Sequence, residues 1–521
     1  MTAGLGTAAQ QPRSSDLMAV VREAEAIFPV LEWAVAGVQI WPLMRIRWFF
    51  SEWARHYVAS GESRGEADLR NGYARLCLLG QELLEQGRGV FANKQRLQGN
   101  GDKVVFLSDG LSFARLGGFW IERFCDPLIG AARRHGYSPE FWSPLELTSQ
   151  PLASPIESLR GDILFATLSG VARAKLLKHT FRLPGRDALV EWMKNKGGGT
   201  GTFQLSKIIS DASRLRSVAD MYRRRIAAIR PKAAFIVSYY SLEGMAFVLA
   251  CRESGVPVVD IQHGVQGELH PAYVSWHLPT GSPVLDLLPD YFWLWSESES
   301  VMINRWCHGT AHQTIAGGNP WVSVWRKGSA WPGVEDALER ARNLRQMAAG
   351  RTIVLVTLQY GLAPQEQLVP LRELVEHAEG KLVFWVRLHP LMLERREEVR
   401  GWFAYSPVML DEPSDLPLHA LLPVVDVHLT HSSSAVIEAE ECAIPSVLTS
   451  AFGAELFPDQ LMRGSAVFEA GAARPLSETL LKMSRTKVQA LGAVPDIEDQ
   501  FARFMDVLAT AGKGGGCASD C

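Results

Sequence analysis

A chain of 521 residues exceeds what one hydrophobic core usually organises, which excludes a small single module. With 47% hydrophobic and 21% charged residues it lacks the polar bias of a disordered protein. Lys+Arg 53 against Asp+Glu 56 gives a net charge of -3 and no chain-wide basic field for nucleic acid, so an anionic ligand must be held locally.

The first sixteen residues, MTAGLGTAAQQPRSSD, lack the basic start and apolar run of a secretory signal and read as a disordered leader. Residues 17–100 carry helical periodicity, notably in WPLMRIRWFFSEWARHYVA. Glu32, Pro42, Arg45 and Arg47 interrupt the apolar stretch from Phe28 to Phe50, so it cannot cleanly span a bilayer. Trp33, Trp41, Trp48 and Trp53 are expected in a helical core, with peripheral membrane contact as the competing reading. Cys77, Cys125, Cys251, Cys307, Cys442, Cys517 and Cys521 are odd in number and scattered, which suits a reducing cytoplasm and offers no metal-ligand spacing.

The first buried-strand signal is KVVFLSDG, ending at Ser108-Asp109-Gly110. A helix from about Gly118 to His135, a strand around Pro139 to Trp142 and a helical middle from Gly161 to Arg225 follow, with KNKGGGTGT as a flexible loop. Strand AAFIVSY, helix SLEGMAFVLACRESG and strand VPVVDIQHG then spell the βαβ grammar of a parallel sheet. After the GGNP turn at 317–320, read as a hinge or cleft-lining loop, a linker is expected between Trp321 and Gly333. RTIVLVTLQYG restarts the alternation, which runs through KLVFWVRLHP, VVDVHLTHSSS and IPSVLTS. The expected architecture is α/β: a leader and helical region over 1–100, an acceptor domain over 101–325, a donor domain over 345–475, and a C-terminal helix and tail over 476–521. Both domains are expected as Rossmann-like, doubly wound parallel sheets facing a cleft.

Ligands of open α/β sheets bind beyond the carboxyl ends of the strands, so strand ends are where chemistry is sought. His263, ending VPVVDI within Gln262-His263-Gly264, is the candidate general base because an imidazole titrates near neutrality. Gly264 permits a tight turn or close backbone approach, and Glu268 and His270 are placed to orient the base or meet acceptor. Asp109 and Glu243 are rival bases that turn or cap roles would equally explain. Arg387 and His389 end the strand KLVFWV before Pro390, where they would neutralise a departing phosphate or serve only an ion pair and a loop cap. His431, Ser432, Ser433 and Ser434 precede a helix, offering hydroxyls and free amides to phosphate or an ordinary N-cap. Glu438, one turn on, is placed for ribose hydroxyls, and Asn319 lines the cleft. Neither a P-loop nor a G-x-G-x-x-G motif is present.

In order, Q-H-G, R-L-H-P and S-S-x-x-x-E resemble the capsule-polysaccharide and CDP-glycerol glycerophosphotransferase superfamily over roughly residues 100–470. In the glycerophosphotransferases the motifs are H-G, K-L-H-P and S-S-x-x-x-D; bacterial sialyltransferases carry comparable H-P and S-S elements. The resemblance implies a GT-B fold, His263 as base, His389 on the donor phosphate, phosphate binding by Ser433 and Ser434, and Glu438 in place of the family acid. Arg387 for Lys, Glu438 for Asp and VQGELHP for T-P-L-K depart from the glycerol-phosphate pattern. The stretch EAEECAIPSV also resembles the E-A-x-x-x-G-x-P-x-V of sugar transferases, with Ala443 where Gly is usual. Together these imply a glycosyltransferase of bacterial surface glycans that needs no metal or other cofactor. Its partners would be a nucleotide-sugar donor and a glycan or lipid-linked glycan acceptor. A polyol-phosphate transferase, a sugar-nucleotide epimerase and a non-catalytic glycan- or nucleotide-binding export component are the alternatives.

Overall fold

The structure is a computed structural model. It describes residues 14–57, 102–147, 151–177, 181–267, 269–277, 285–326, 331–360, 362–378, 380–404, 408–488 and 495–514. Helix Ser14–Ile27, the antiparallel pair β1 (Ala34–Val35) and β2 (Val38–Gln39), and helix Trp41–Tyr57 come first. Then follow β3 (Lys103–Leu107), the hairpin β4 (Phe113–Leu116) and β5 (Phe119–Glu122), β6 (Ser138–Ser143) and β7 (Glu157–Ser158). The first half continues with β8 (Ala233–Val237), β9 (Val258–Ile261), β10 (Tyr291–Leu294) and β11 (Gln313–Ala316). The second half carries β12 (Thr352–Thr357), β13 (Leu382–Arg387), β14 (Val408–Met409), β15 (Val427–Thr430), β16 (Ser446–Leu448) and β17 (Ala466–Phe468).

Two parallel sheets result, ordered β11-β10-β9-β8-β3-β6-β7 and β14-β13-β12-β15-β16-β17. In each, the chain steps outward on one side and then restarts beside its first strand. The order therefore reverses between β3 and β8 and again between β12 and β15, which opens a crevice at each carboxyl edge. Helices cover both faces, which is why the strands read as continuous apolar runs; all five residues of β8 are buried. The expected pair of doubly wound sheets, the GT-B architecture, is thus present.

Strand residues alternate between two cores. Val105, Leu107, Ala234 and Ile236 join the N-terminal helices, whereas Val104, Phe106, Ala233 and Phe235 face helix Cys125–Arg134 and the C-terminal helix Ile497–Gly514. That last helix returns from the second half to the first, setting Phe501 and Phe504 against Phe235. Val436, Ile437, Leu448 and Phe457 of the second half share a core with Phe124 and Trp295 of the first. The hairpin β4–β5 reaches the other way: Leu116 and Ile121 pack with Trp321, Leu355 and Trp385.

Trp33, Trp41 and Trp48 are buried, and Trp53 packs partly buried against the same core, so the early aromatic excess is interior. The indoles of Trp33 and Trp48 donate to the carbonyls of Pro184 and Gly199. Arg45 is fully buried: Nη1 donates to Glu25 at 2.8 Å, Nη2 to the Val274 carbonyl at 2.6 Å, and the guanidinium lies 3.8 Å from the Trp276 ring centroid. Among the described residues no helix is long and apolar enough to cross a membrane.

Two local expectations are corrected. The helix expected from Gly118 is instead the β4–β5 hairpin followed by helix Cys125–Arg134, because Gly117 and Gly118 adopt φ of 56° and 84° and turn the chain back. The glycine loop KNKGGGTGT is pinned: Gly199 N donates to Glu52, and a side chain at Gly198 would meet Trp48. At the expected linker, Pro320–Arg326 is helical and Gly333 abuts Gly117 so closely that a Cβ on either would collide with the other segment. The helical reading of 58–100 lies outside the described residues.

Candidate functional site

In the first half, β3, β8 and β9 deliver the side chains at the crevice. Val258–Ile261 is buried throughout, so the chain can expose His263 only where the strand ends. Its Nε2 lies 3.1 Å from the Tyr240 hydroxyl, and Nδ1 is buried with no hydrogen-bond partner among the described residues. Burial lowers the His263 pKa, opposed by the negative charge of Asp109 and assisted by Arg123. Burial pushes the Tyr240 phenol up to about 12, so it stays protonated. A neutral imidazole therefore faces a protonated phenol, and the pair can take up or relay one proton.

Tyr240 is held by the turn that leaves β8. Ser238 adopts φ 64°, Ser241 caps the next helix through Gly244 N at 2.8 Å, and any side chain at Gly244 would strike the Tyr239 backbone. Behind it, Tyr239 N donates to Asp260, which burial pushes up to about 8. Tyr273 and His270 complete an aromatic wall around Tyr240, with His270 lowered to about 3 by burial and then His263.

The remaining first-half candidates are placed as follows. Asp109 accepts from Leu111 N, Ser112 N and the Ser112 hydroxyl, shaping its own loop while its charge reaches His263. Glu243 sits in the first turn of helix Leu242–Glu253, where a negative charge suits the helix dipole. Gln262 is a buried clamp: its amide bonds Gly264 O, Glu299 and Trp295 N. Gly264 needs neither positive φ nor a close approach, since no described atom lies within 4 Å of a Cβ built there. Asn319 caps helix Pro320–Arg326 through Trp321 N and leaves its buried Nδ2 unpartnered. Glu268 lies outside the described residues.

In the second half, Arg387 ends β13 and directs one nitrogen at the carbonyls of Pro413 and Leu416. Burial lowers it to about 10, opposed by Glu438, so it remains a cation at neutral pH. His389 caps the next turn through Leu391 N at 3.2 Å and lies against Tyr360, its ring centroid 6.0 Å away. After β15, His431 Nδ1 meets the Ser432 hydroxyl at 3.0 Å, Ser433 accepts from Ala435 N, and Ser434 holds the N-cap position without a side-chain capping bond. Glu438 lies 3.7 Å from His419 Nε2; burial raises its pKa, while Arg123 and then Arg387 lower it. Burial, reinforced by Arg123 and Arg387, drives His419 down to about 3, so this close pair is a neutral imidazole beside an acid.

Arg123 joins the halves. It follows β5, is fixed by its backbone N–H to the Ser112 carbonyl, and acts electrostatically on His263 of the first sheet and on Arg387, His389, His419 and Glu438 of the second. Motif reading missed Arg123 because its importance depends on a hairpin that crosses to the other half. Tyr240 was also missed, although it follows a recognised strand. Gln266, buried in the loop after His263 with both amide atoms unpartnered among the described residues, is a third addition. Among the described residues no group of three or more His, Cys, Asp and Glu could hold a metal ion.

No family model matches the chain, and no curated protein matches it. Among solved structures it is similar to S. aureus MnaA in a structure with UDP, at 11% identity over 79% of this chain and 97% of that one, with TM-score 0.45. It is similar to the Methanocaldococcus jannaschii UDP-GlcNAc 2-epimerase in complex with UDP-GlcNAc and UDP at 13% identity, covering 78% and 99% of the two chains, with TM-score 0.47. For Acinetobacter baumannii MurG the values are 12%, 78%, 99% and 0.42.

Proposed function

We propose that this protein is a glycosyltransferase that moves a sugar from a nucleotide donor to a hydroxyl of a bacterial surface glycan without calling on a metal ion. The observation that carries the reading is that Arg123 acts at once on His263, which pairs with Tyr240, and on the anion-holding side chains Arg387 and His389. Glycosyl transfer needs both functions within one crevice: a base for the incoming hydroxyl and positive charge for the departing nucleotide. Arg123 and Arg387 stabilise the phosphates, the serines donate to their oxygens, and Glu438 accepts from the ribose hydroxyls. Neutral His263 receives the acceptor proton as the hydroxyl attacks the anomeric carbon. The early tryptophans take no part.

The test is a thermal-shift series with CMP-, UDP-, GDP- and CDP-linked sugars, because a ligand that binds only the folded state raises its stability. One nucleotide class should raise Tm in the wild type and much less in Arg387→Ala. No shift with any donor would overturn the reading. An NMR time course of the bound donor alone then separates transfer from epimerisation: conversion without acceptor identifies an epimerase.

A further inference from the structure

Beside the Tyr240 ring lies a second cleft of about 590 Å³, formed where helix Trp41–Tyr57 crosses helix Leu205–Ile229. Lys207, Asp211 and Arg214 recur at a spacing that places them on one face of the longer helix, and Arg47 and Phe50 fall on one face of the other. Arg47 pairs with Asp211, and Arg214 approaches the same carboxylate at 3.5 Å. Two cations thus share one buried acid, and Lys207, a third cation lining the cleft, stands exposed with no ion-pair partner among the described residues. Arg214 Nε is buried and has no hydrogen-bond partner among the described residues. Phe50 remains 37% exposed, with its ring stacked 6.4 Å from that of Tyr240.

This is a cationic cleft with an aromatic floor, and the floor is one hydrogen bond from His263. Arginine forks suit carboxylate and phosphate oxygens, and an exposed ring offers a platform to the apolar face of a sugar. Resting on the transferase reading, we infer that the cleft seats the acceptor and that this acceptor is an acidic saccharide, its anionic group held by Arg47, Lys207 and Arg214. The geometry also accounts for the N-terminal helical layer, which builds one wall of a site the first sheet alone would lack.

Titration calorimetry on the full chain tests this with galacturonate trisaccharide, galactose trisaccharide and galactose 1-phosphate, with inorganic phosphate as the sugar-free control. The acidic trisaccharide or the sugar phosphate should bind at least about tenfold more tightly than the neutral trisaccharide; which of them binds distinguishes carboxylate from phosphate. Lys207→Glu and Arg214→Glu should each weaken that binding roughly tenfold, whereas Phe50→Ser should weaken charged and neutral sugars alike. Lys207 is exposed, so its variant should keep the wild-type Tm and its nucleotide-induced shift. Neither the acidic trisaccharide nor the sugar phosphate binding more tightly than the neutral trisaccharide, tightest binding of free phosphate, or unchanged affinity in Lys207→Glu overturns the inference. A nucleotide shift without acidic-sugar binding removes the acceptor assignment alone. Acidic-sugar binding lost in Lys207→Glu, without any nucleotide shift, supports the cleft and removes the transferase reading.

Discussion

The two sheets share a strand order and differ in what they place at its reversal. Beyond β8 and β9 stand a protonated phenol and a neutral imidazole, and Glu122 at the end of β5 and Asp260 within β9 are carboxyls that burial pushes up to about 8. Beyond β13 and β15 stand a buried arginine that stays charged, His389 and three serines. One topology therefore supplies the same crevice twice, and in the proposed reaction the side chains would divide the labour, the first half handling a proton and the second holding an anion.

The sharpest way to break that division is a pair of substitutions. His263→Ala should lower transfer by roughly 10²–10⁴-fold while nucleotide affinity changes by less than about twofold. Arg387→Ala should do the reverse at low substrate, weakening nucleotide binding by roughly tenfold or more through loss of a charge-assisted contact. Steady-state kinetics and calorimetry on both variants decide it. If His263→Ala abolishes nucleotide binding, the two halves do not divide the work.

A second difference is the helical layer that only the first sheet carries. Arg45 is its buried pin, joining Glu25 on the first helix to the Val274 carbonyl, and Trp41 Nε1 donates to the same Glu25 oxygen at 2.8 Å. Arg45→Ala leaves a buried carboxylate without its cation and should cost about 3–5 kcal/mol in denaturant unfolding. If the layer folds as one unit with the first sheet, the variant unfolds in a single earlier transition. A separate early transition would show that the layer is an appendage.

What the sequence discloses follows from the range of the interactions involved. Both sheets, the strand-end position of the motifs and the interior placing of the tryptophans were legible because strand and helix periodicity are local signals. Gln262 was one of the strand-end candidates and is a clamp, since its partner Trp295 lies 33 residues away, just past the neighbouring strand. The hairpin before Arg123 was read as helix because its turn depends on positive φ at two glycines and on packing against the second half. Arg45 stood in plain view within WPLMR, but its partners come from two separate segments, one of them more than two hundred residues away.

Arg123 lies between the halves, so a pH profile measures how it couples them. The base works only when neutral, so kcat/KM rises as pH climbs through the His263 pKa. Arg123 lowers that pKa and Asp109 raises it. Arg123→Ala should therefore move the acidic limb to higher pH and Asp109→Asn should move it to lower pH, each by roughly one unit or less. Asparagine keeps the acceptor oxygen that Leu111 N and Ser112 N use, so the loop should persist. Shifts of the same sign in both variants would detach the limb from His263.

The smallest effect lies at the end of the helix that follows the serines. Ala443 adopts φ 60° where the resembling transferases carry glycine, and Ile444 N bonds Ala439 O while Ala443 N bonds Glu440 O. That double closure puts the residue after the cap in the left-handed region, where a Cβ costs roughly 1–2 kcal/mol. Ala443→Gly should relieve the strain but give the unfolded chain more freedom, which returns about 0.4–1 kcal/mol. A net gain of up to about 1 kcal/mol is expected in chemical denaturation. Ala439→Gly, one turn earlier in the same helix, should instead lose about 1–2 kcal/mol, because there the backbone is already helical and glycine adds disorder and removes a buried methyl group. If both substitutions destabilise, the second sheet holds this turn without strain, and the departure from glycine at Ala443 carries no energetic consequence.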